Sequence, residues 1–201
     1  MPRPALIAQD DLIDALLRVV VAKGLDAVSI RTVAREAGVS IGTVQRHFAT
    51  KDDLLLAAYG RAIDQVTARA RQLPERTSRP AEYIRALLCE LLPLDGRREA
   101  ELRVALAFTA RSVYAPRLAE LYTHAYRALV DAIAAALRDA VERGQAPPDL
   151  DPQRDAIQAV ALADGLAWHL LCAPHALTAD DAVAALDAHL ARLLPRDRRG
   201  R

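Results

Sequence analysis

Residues 29–51 read Ser29-Ile-Arg-Thr-Val-Ala-Arg-Glu-Ala-Gly-Val-Ser-Ile-Gly-Thr-Val-Gln-Arg-His-Phe-Ala-Thr-Lys51, and no other stretch constrains the chain as tightly. Ser29 is a good N-cap for a short helix through Ala37, with Ile30, Val33 and Ala34 on its inner face. Gly38 breaks that helix, since glycine enters the left-handed region without a Cβ penalty, and Val39 can then plug into a core. Ser40 caps a second short helix, Ile41 to His47, whose outward positions are polar and whose end is anchored by Phe48. Ala34 is small where the two helices would cross. A short helix, a tight turn and a second helix showing polar side chains form a helix-turn-helix, and such a second helix fits a DNA major groove about 12 Å wide.

Charge and composition agree. The 201-residue chain has a formal net charge of only +1, which excludes a general nucleic-acid polycation. Within 29–51, however, Arg31, Arg35, Arg46 and Lys51 face one acid, Glu36. A basic patch on a neutral protein suits a DNA reader whose affinity falls with salt. Hydrophobic residues make up 52% of the chain but aromatics only 4%, alanine and leucine dominate, and alternating β-branched runs are missing, so an all-α fold is expected. Cys89 and Cys172 are too few for a disulfide framework and suit a reducing cytoplasm. The start, Met-Pro-Arg-Pro-Ala-Leu-Ile, does not read as a secretory leader. The nearest candidate for a membrane span, Ala156 to Ala173, carries Asp164 and His169, so no span is expected.

Helical spacing organises the rest. A first helix is expected from about Ala8 to Lys23, with Leu12, Leu16, Val19 and Val20 as its apolar stripe and Gly24 at its end. Thr50-Lys-Asp-Asp53 resembles a capping box with Asp for the usual Glu, opening a fourth helix toward Gln72. Pro74 to Arg79 is a polar break. Five more helices are expected beyond it: Pro80–Leu92, Arg97–Val113, Pro116–Arg143, Asp151 to about Cys172, and one opened by Thr178-Ala-Asp-Asp181 that ends near Leu194. An arginine-rich tail, 195–201, is expected to be disordered. The domains are therefore taken as 1–53 for DNA, linked through the helix 52–72, and 54–201 for a larger helical domain.

The run Ile30 to Leu54, with Gly24-Leu-Asp-Ala-Val28 before it, resembles the signature of the TetR (tetracycline-repressor) family of transcriptional regulators over about residues 8–59. Ala161-Leu-Ala-Asp-Gly-Leu-Ala167 and Leu186-Asp-Ala-His-Leu-Ala-Arg-Leu193 are similar to the C-terminal domain of choline-regulator (BetI-like) members. The resemblance implies a nine-helix layout and DNA-facing roles for Arg31, Thr32, Ser40, Ile41, Gly42, Thr43, Gln45, Arg46, His47 and Lys51. Thr43 and Gln45 are assigned to base edges, where Gln can pair bidentately with adenine. Arg31 reaches a guanine or a phosphate, and Gly42 lets the helix approach the backbone. His47 and Lys51 are assigned to phosphates, Lys51 beside the N-terminal dipole of the fourth helix. The family commonly has tyrosine near 45 and 46, where this chain has Gln45 and Arg46.

The larger domain shows no catalytic constellation: no His-Glu-x-x-His, no paired-cysteine motif, no phosphate loop and no Gly-x-Ser-x-Gly. No enzyme activity, cofactor or metal is expected. His124, His169, His175 and His189 lie in separate segments. Tyr83, Phe108, Tyr114, Tyr122, Tyr126 and Trp168 are candidates for lining a ligand pocket. Ala161, Asp164, Gly165 and Trp168, with Leu186, Leu190 and Leu193 of the last helix, are candidates for a two-fold dimer seam built as a four-helix bundle. Asp164 could alternatively meet a cationic ligand. The expected protein is a cytoplasmic homodimer that represses from a palindromic double-stranded DNA operator until a small, largely apolar effector releases it. A small-molecule-binding helical protein or enzyme with an incidental helix-turn-helix, or an architectural DNA-binding protein without a ligand, are the alternatives.

Overall fold

A computed structural model describes residues 8–73 and 79–195. Among these the chain is all-α: α1 (Gln9–Lys23), α2 (Ile30–Glu36), α3 (Ile41–His47), α4 (Lys51–Ala70), α5 (Pro80–Cys89), α6 (Gly96–Ser112), α7 (Pro116–Glu142), α8 (Pro152–Cys172) and α9 (Ala179–Leu193). All but the last residue of the expected polar break, 74–78, and the tail beyond Pro195 lie outside the described residues.

Caps set most of the helix starts. Asp151 Oδ1 accepts the backbone N–H groups of Gln153 and Arg154 at 3.2 and 3.1 Å, and Pro152 follows as the first helical residue of α8. Thr178 and Asp181 cap α9 reciprocally, the Asp181 N–H reaching Thr178 Oγ1 at 3.1 Å. Thr50 and Asp53 repeat the device at α4, with the Asp53 N–H on Thr50 Oγ1 at 3.1 Å. Two stretches differ from expectation. Gly24, at φ +78°, turns the chain into a short 3-10 turn, Leu25–Ala27, that periodicity does not reveal. The fifth helix ends at Cys89 rather than Leu92, and the chain continues in turns that still bury Leu92 completely.

Packing divides the described residues into two compact units. The first comprises 8–65 and Arg103–Tyr122; the second comprises Val66–Leu102 and 123–195. The division runs through α4, α6 and α7 instead of falling at a linker.

The first unit closes around Leu12, Leu16, Val33, Val44, Phe48, Leu54, Leu55 and Phe108. Phe108 is fully buried and stacks on Tyr59 at 5.1 Å between ring centroids. Ion pairs brace its helices: Arg61 of α4 reaches Asp10 and Asp14 of α1 at 2.7 and 3.3 Å, and Arg18 of α1 holds Glu36 of α2 at 2.9 Å. The second unit packs α5, α8 and α9 over Ile84, Leu88, Leu92, Ile133, Leu137 and Leu186. α8 contributes mainly small side chains to it, Ala156, Ala159, Val160, Ala163 and Ala167, which lets neighbouring helices approach closely. Arg69 joins Glu90 and Glu101, each at 2.7 Å, and Arg85 grips Asp187 of α9 at 2.6 and 3.2 Å.

The two glycines of the helix-turn-helix differ. Gly38 sits at φ +69°, where an L-residue is strained. Gly42 lies inside α3, and an added Cβ would meet nothing closer than Ser40 Oγ at 3.9 Å. Gly38→Ala is therefore expected to cost about 1–2 kcal/mol in urea unfolding. Gly42→Ala is expected to leave stability unchanged or raise it by up to about 1 kcal/mol.

Candidate nucleic-acid interface

α3 is seven residues long, far shorter than a helix that would persist alone in water. Val44 is its only buried residue, at 0% exposure, and Phe48 follows immediately at 3%. These two side chains dock the helix. Its N-terminus is ordered by Ser40, whose Oγ accepts the Thr43 N–H at 3.1 Å. The Ser40 and Thr43 hydroxyls lie 2.9 Å apart, and Arg46 donates to Thr43 Oγ1 at 3.4 Å. Ile41, Gly42, Gln45, Arg46 and His47 are left exposed. The His47 ring leans beside Phe48 with centroids 6.4 Å apart.

α2 shows the same economy. Ser29 Oγ accepts the Thr32 N–H at 3.0 Å, and the Ser29 N–H reaches Thr32 Oγ1 at 2.8 Å. Thr32 Oγ1 also donates to the Ala27 or Ser29 carbonyl at 2.9 and 3.0 Å. Its hydroxyl is thus committed to the cap. Arg31 and Arg35, one turn apart, stand exposed on the same helix.

The local field is more positive than the sequence suggests. Glu36, the one acid between 29 and 51, is held by Arg18 rather than by its neighbour Arg35. Asp52 and Asp53, which follow Lys51 in α4, face Arg111 and Arg117 at 3.6 and 2.9 Å. The Thr50 hydroxyl and the Arg117 guanidinium hold the Asp53 carboxyl below the usual carboxylate range, so this pair persists until the medium is clearly acidic. Among the described residues Arg31, Arg35, Arg46 and Lys51 carry no ion pair. Cations without acidic partners on α2, α3 and the first turn of α4 leave this segment locally positive, which suits an anionic partner. A groove of about 620 Å³ opens behind it, walled by His47, Phe48, Asp53, Gly60, Arg117 and Leu121.

The six aromatics do not gather into one cluster. Phe108 lies in the core of the first unit and Tyr122 packs against it; Tyr83 and Tyr126 pack against the core of the second. Tyr114 and Trp168 are surface residues, 84% and 52% exposed. The leucine stripe of α9 is likewise used inside the protomer: Leu186 and Leu190 are buried in the second unit, with Leu193 packed against it. What α9 leaves outward is alanine, namely Ala184, Ala185, Ala188 and Ala191. α8 exposes Ile157, Ala161, Asp164 and Trp168, while Gly165 is half-buried. The alanine spacing is present in the sequence as Ala184, Ala188 and Ala191. Partial desolvation by its neighbours pushes the Asp164 carboxyl upward even though its residue lies on the exposed side of α8. Among the described residues no group of three or more His, Cys, Asp or Glu is placed to hold a metal ion, and no helix is long and apolar enough to cross a membrane.

Two family matches cover this architecture. Residues 12–58 match the bacterial regulatory proteins of the tetR family, and 80–195 match the C-terminal domain of BetI-type transcriptional repressors. A solved transcriptional regulator from Rhodococcus sp. Rha1 is 33% identical, covers 93% of this chain and 96% of its own, and superposes with a TM-score of 0.83. A regulator from Saccharomonospora viridis, solved in complex with choline, is 26% identical with a TM-score of 0.81, covering 94% and 98%. The HTH-type transcriptional regulator PksA of Bacillus subtilis is 28% identical over 190 residues, 92% of this chain and 89% of its own. Sequence, fold and exposed basic face agree: the chain belongs to the tetR family of bacterial regulatory proteins, with the C-terminal domain of the BetI-type transcriptional repressors, and is a DNA-binding regulator of transcription.

Proposed function

We propose that two copies of α3, one from each subunit, enter successive major grooves of a palindromic operator and repress transcription until an effector intervenes. The observation that carries this reading is the outward face of α3 with its unpaired cations on both sides. Gln45 is the base reader, exposed and on the second turn of the helix. Thr43 orders the first turn through Ser40, and Arg46 steadies Thr43 or reaches a base edge. Arg31, His47 and Lys51 hold phosphates, Lys51 from the first turn of α4. The site of action is the cytoplasm, where such DNA lies.

The dimer seam assigned here is the α8–α9 surface of Ile157, Ala161, Asp164, Trp168, Ala184 and Ala188. Small residues allow two such faces to approach closely, and the exposed Trp168 supplies apolar area. The effector is small and largely apolar and binds in the second unit, where Tyr83 and Tyr126 pack beside aliphatic side chains. The choline complex of the Saccharomonospora viridis regulator favours a second reading, a quaternary ammonium held on aromatic faces. Choline releasing this protein from DNA would support that class; unchanged affinity at millimolar choline would exclude choline itself.

On duplexes bound by the full-length protein, Lys51→Ala is expected to weaken every sequence alike and to flatten the salt dependence by about one unit per contact. Gln45→Ala is expected to relax preference at one base pair per half-site, a discrimination of about 1–3 kcal/mol, measured by fluorescence anisotropy. Uniform losses from both changes would contradict the base-reader assignment. Ala161→Arg, on a surface exposed in the protomer, is expected to keep helicity by circular dichroism while light scattering reports a monomer. A dimer that survives this change would move the seam elsewhere.

A further inference from the structure

We propose that Ile41 determines operator specificity by reading the C5-methyl group of a thymine in each half-site. This rests on the assignment of α3 to the major groove and adds what its first turn recognises there.

Ile41 is the first residue of α3 and is 42% exposed, one of the few large apolar side chains at the surface among the described residues. A single exposed apolar residue is ordinary on a protein surface. The setting of this one is not. α3 docks through Val44 and Phe48, so the core has no use for Ile41. Its polar neighbours on the first turn are engaged mainly with one another. The Ser40 hydroxyl is shared between the Thr43 N–H and the Thr43 hydroxyl, and Thr43 Oγ1 also takes the Arg46 guanidinium. Gly42 has no side chain, and the space where its Cβ would stand is open. The first turn therefore presents one apolar side chain beside a bare backbone, while hydrogen-bonding side chains begin at Gln45.

Only one major-groove feature of unmodified DNA suits such a surface. Guanine, adenine and cytosine present donors and acceptors there, whereas thymine adds an apolar methyl. Ile is β-branched and stiff at χ1, so little rotamer freedom is lost on contact. One helical turn advances about 5.4 Å and one base step about 3.4 Å. The thymine therefore lies one or two base steps from the pair read by Gln45. Five-methylcytosine carries the same methyl at the same place, and the test separates the two sources.

The full-length protein is used to select its strongest duplex from a random pool, and that duplex is resynthesised with deoxyuridine replacing each thymine in turn. Removing one buried methyl is expected to weaken binding about fourfold at one thymine per half-site, and about fifteenfold when both half-sites carry the change. Ile41→Ala is expected to bind the parent duplex that much more weakly, to be indifferent to deoxyuridine at that position, and to keep the wild-type helical circular dichroism. Gln45→Ala is expected to retain the deoxyuridine effect. An effect of equal size in wild type and Ile41→Ala at every thymine overturns the proposal while leaving the α3 reading intact. Failure to select any duplex overturns the α3 reading and this inference with it. Placing 5-methylcytosine paired with guanine at the sensitive position is expected to bind no better than thymine; tighter, Ile41-dependent binding would assign the methyl to modified cytosine instead and overturn the thymine assignment.

Discussion

The DNA-facing surface depends on the burial of two side chains, Val44 and Phe48. Seven residues cannot hold a helix in water, because nucleation is unfavourable and too few bonds follow it. Docking those two residues against Leu12, Leu16, Leu54 and their neighbours fixes both the existence and the orientation of α3. Thr43 stays in the Ser40 cap, and the remaining residues of the helix are released from packing in the core. That release is what allows Ile41, Gly42, Gln45, Arg46 and His47 to differ with the DNA sequence to be read, without altering the fold.

The electrostatics follow from the same frame. The acids near the reading face are each occupied elsewhere: Glu36 by Arg18, Asp52 by Arg111, Asp53 by Arg117. Exposed pairs of this kind add little stability, about 0–1 kcal/mol each. Their larger effect is on the potential, since they leave Arg31, Arg35, Arg46 and Lys51 uncompensated beside the face that meets phosphate. A chain with a net charge of +1 thereby presents a locally cationic surface.

Much of this was legible in the sequence. Ser29, Ser40, Thr50, Asp151 and Thr178 mark helix starts by side-chain chemistry that acts over three residues, and all five cap as read. The Gly38 turn is equally local. The partners of charged groups were not legible: Glu36 lies next to Arg35 in sequence but pairs with Arg18 across the α1–α2 packing. Nor was the inner face of α9. Leucines at helical spacing predict an apolar stripe without saying whether it meets the protomer's own core or another copy. Here Leu186 and Leu190 meet the core, and alanines form the outward face.

The central claim is that α3 from two subunits reads two successive major grooves. Hydroxyl-radical footprinting combined with guanine methylation interference, on a duplex bound by the full-length protein, tests it most directly. The expected result is two symmetry-related patches of major-groove interference centred about 10–10.5 base pairs apart, or a multiple of that spacing. A single patch, or backbone protection without any major-groove interference, would contradict the account.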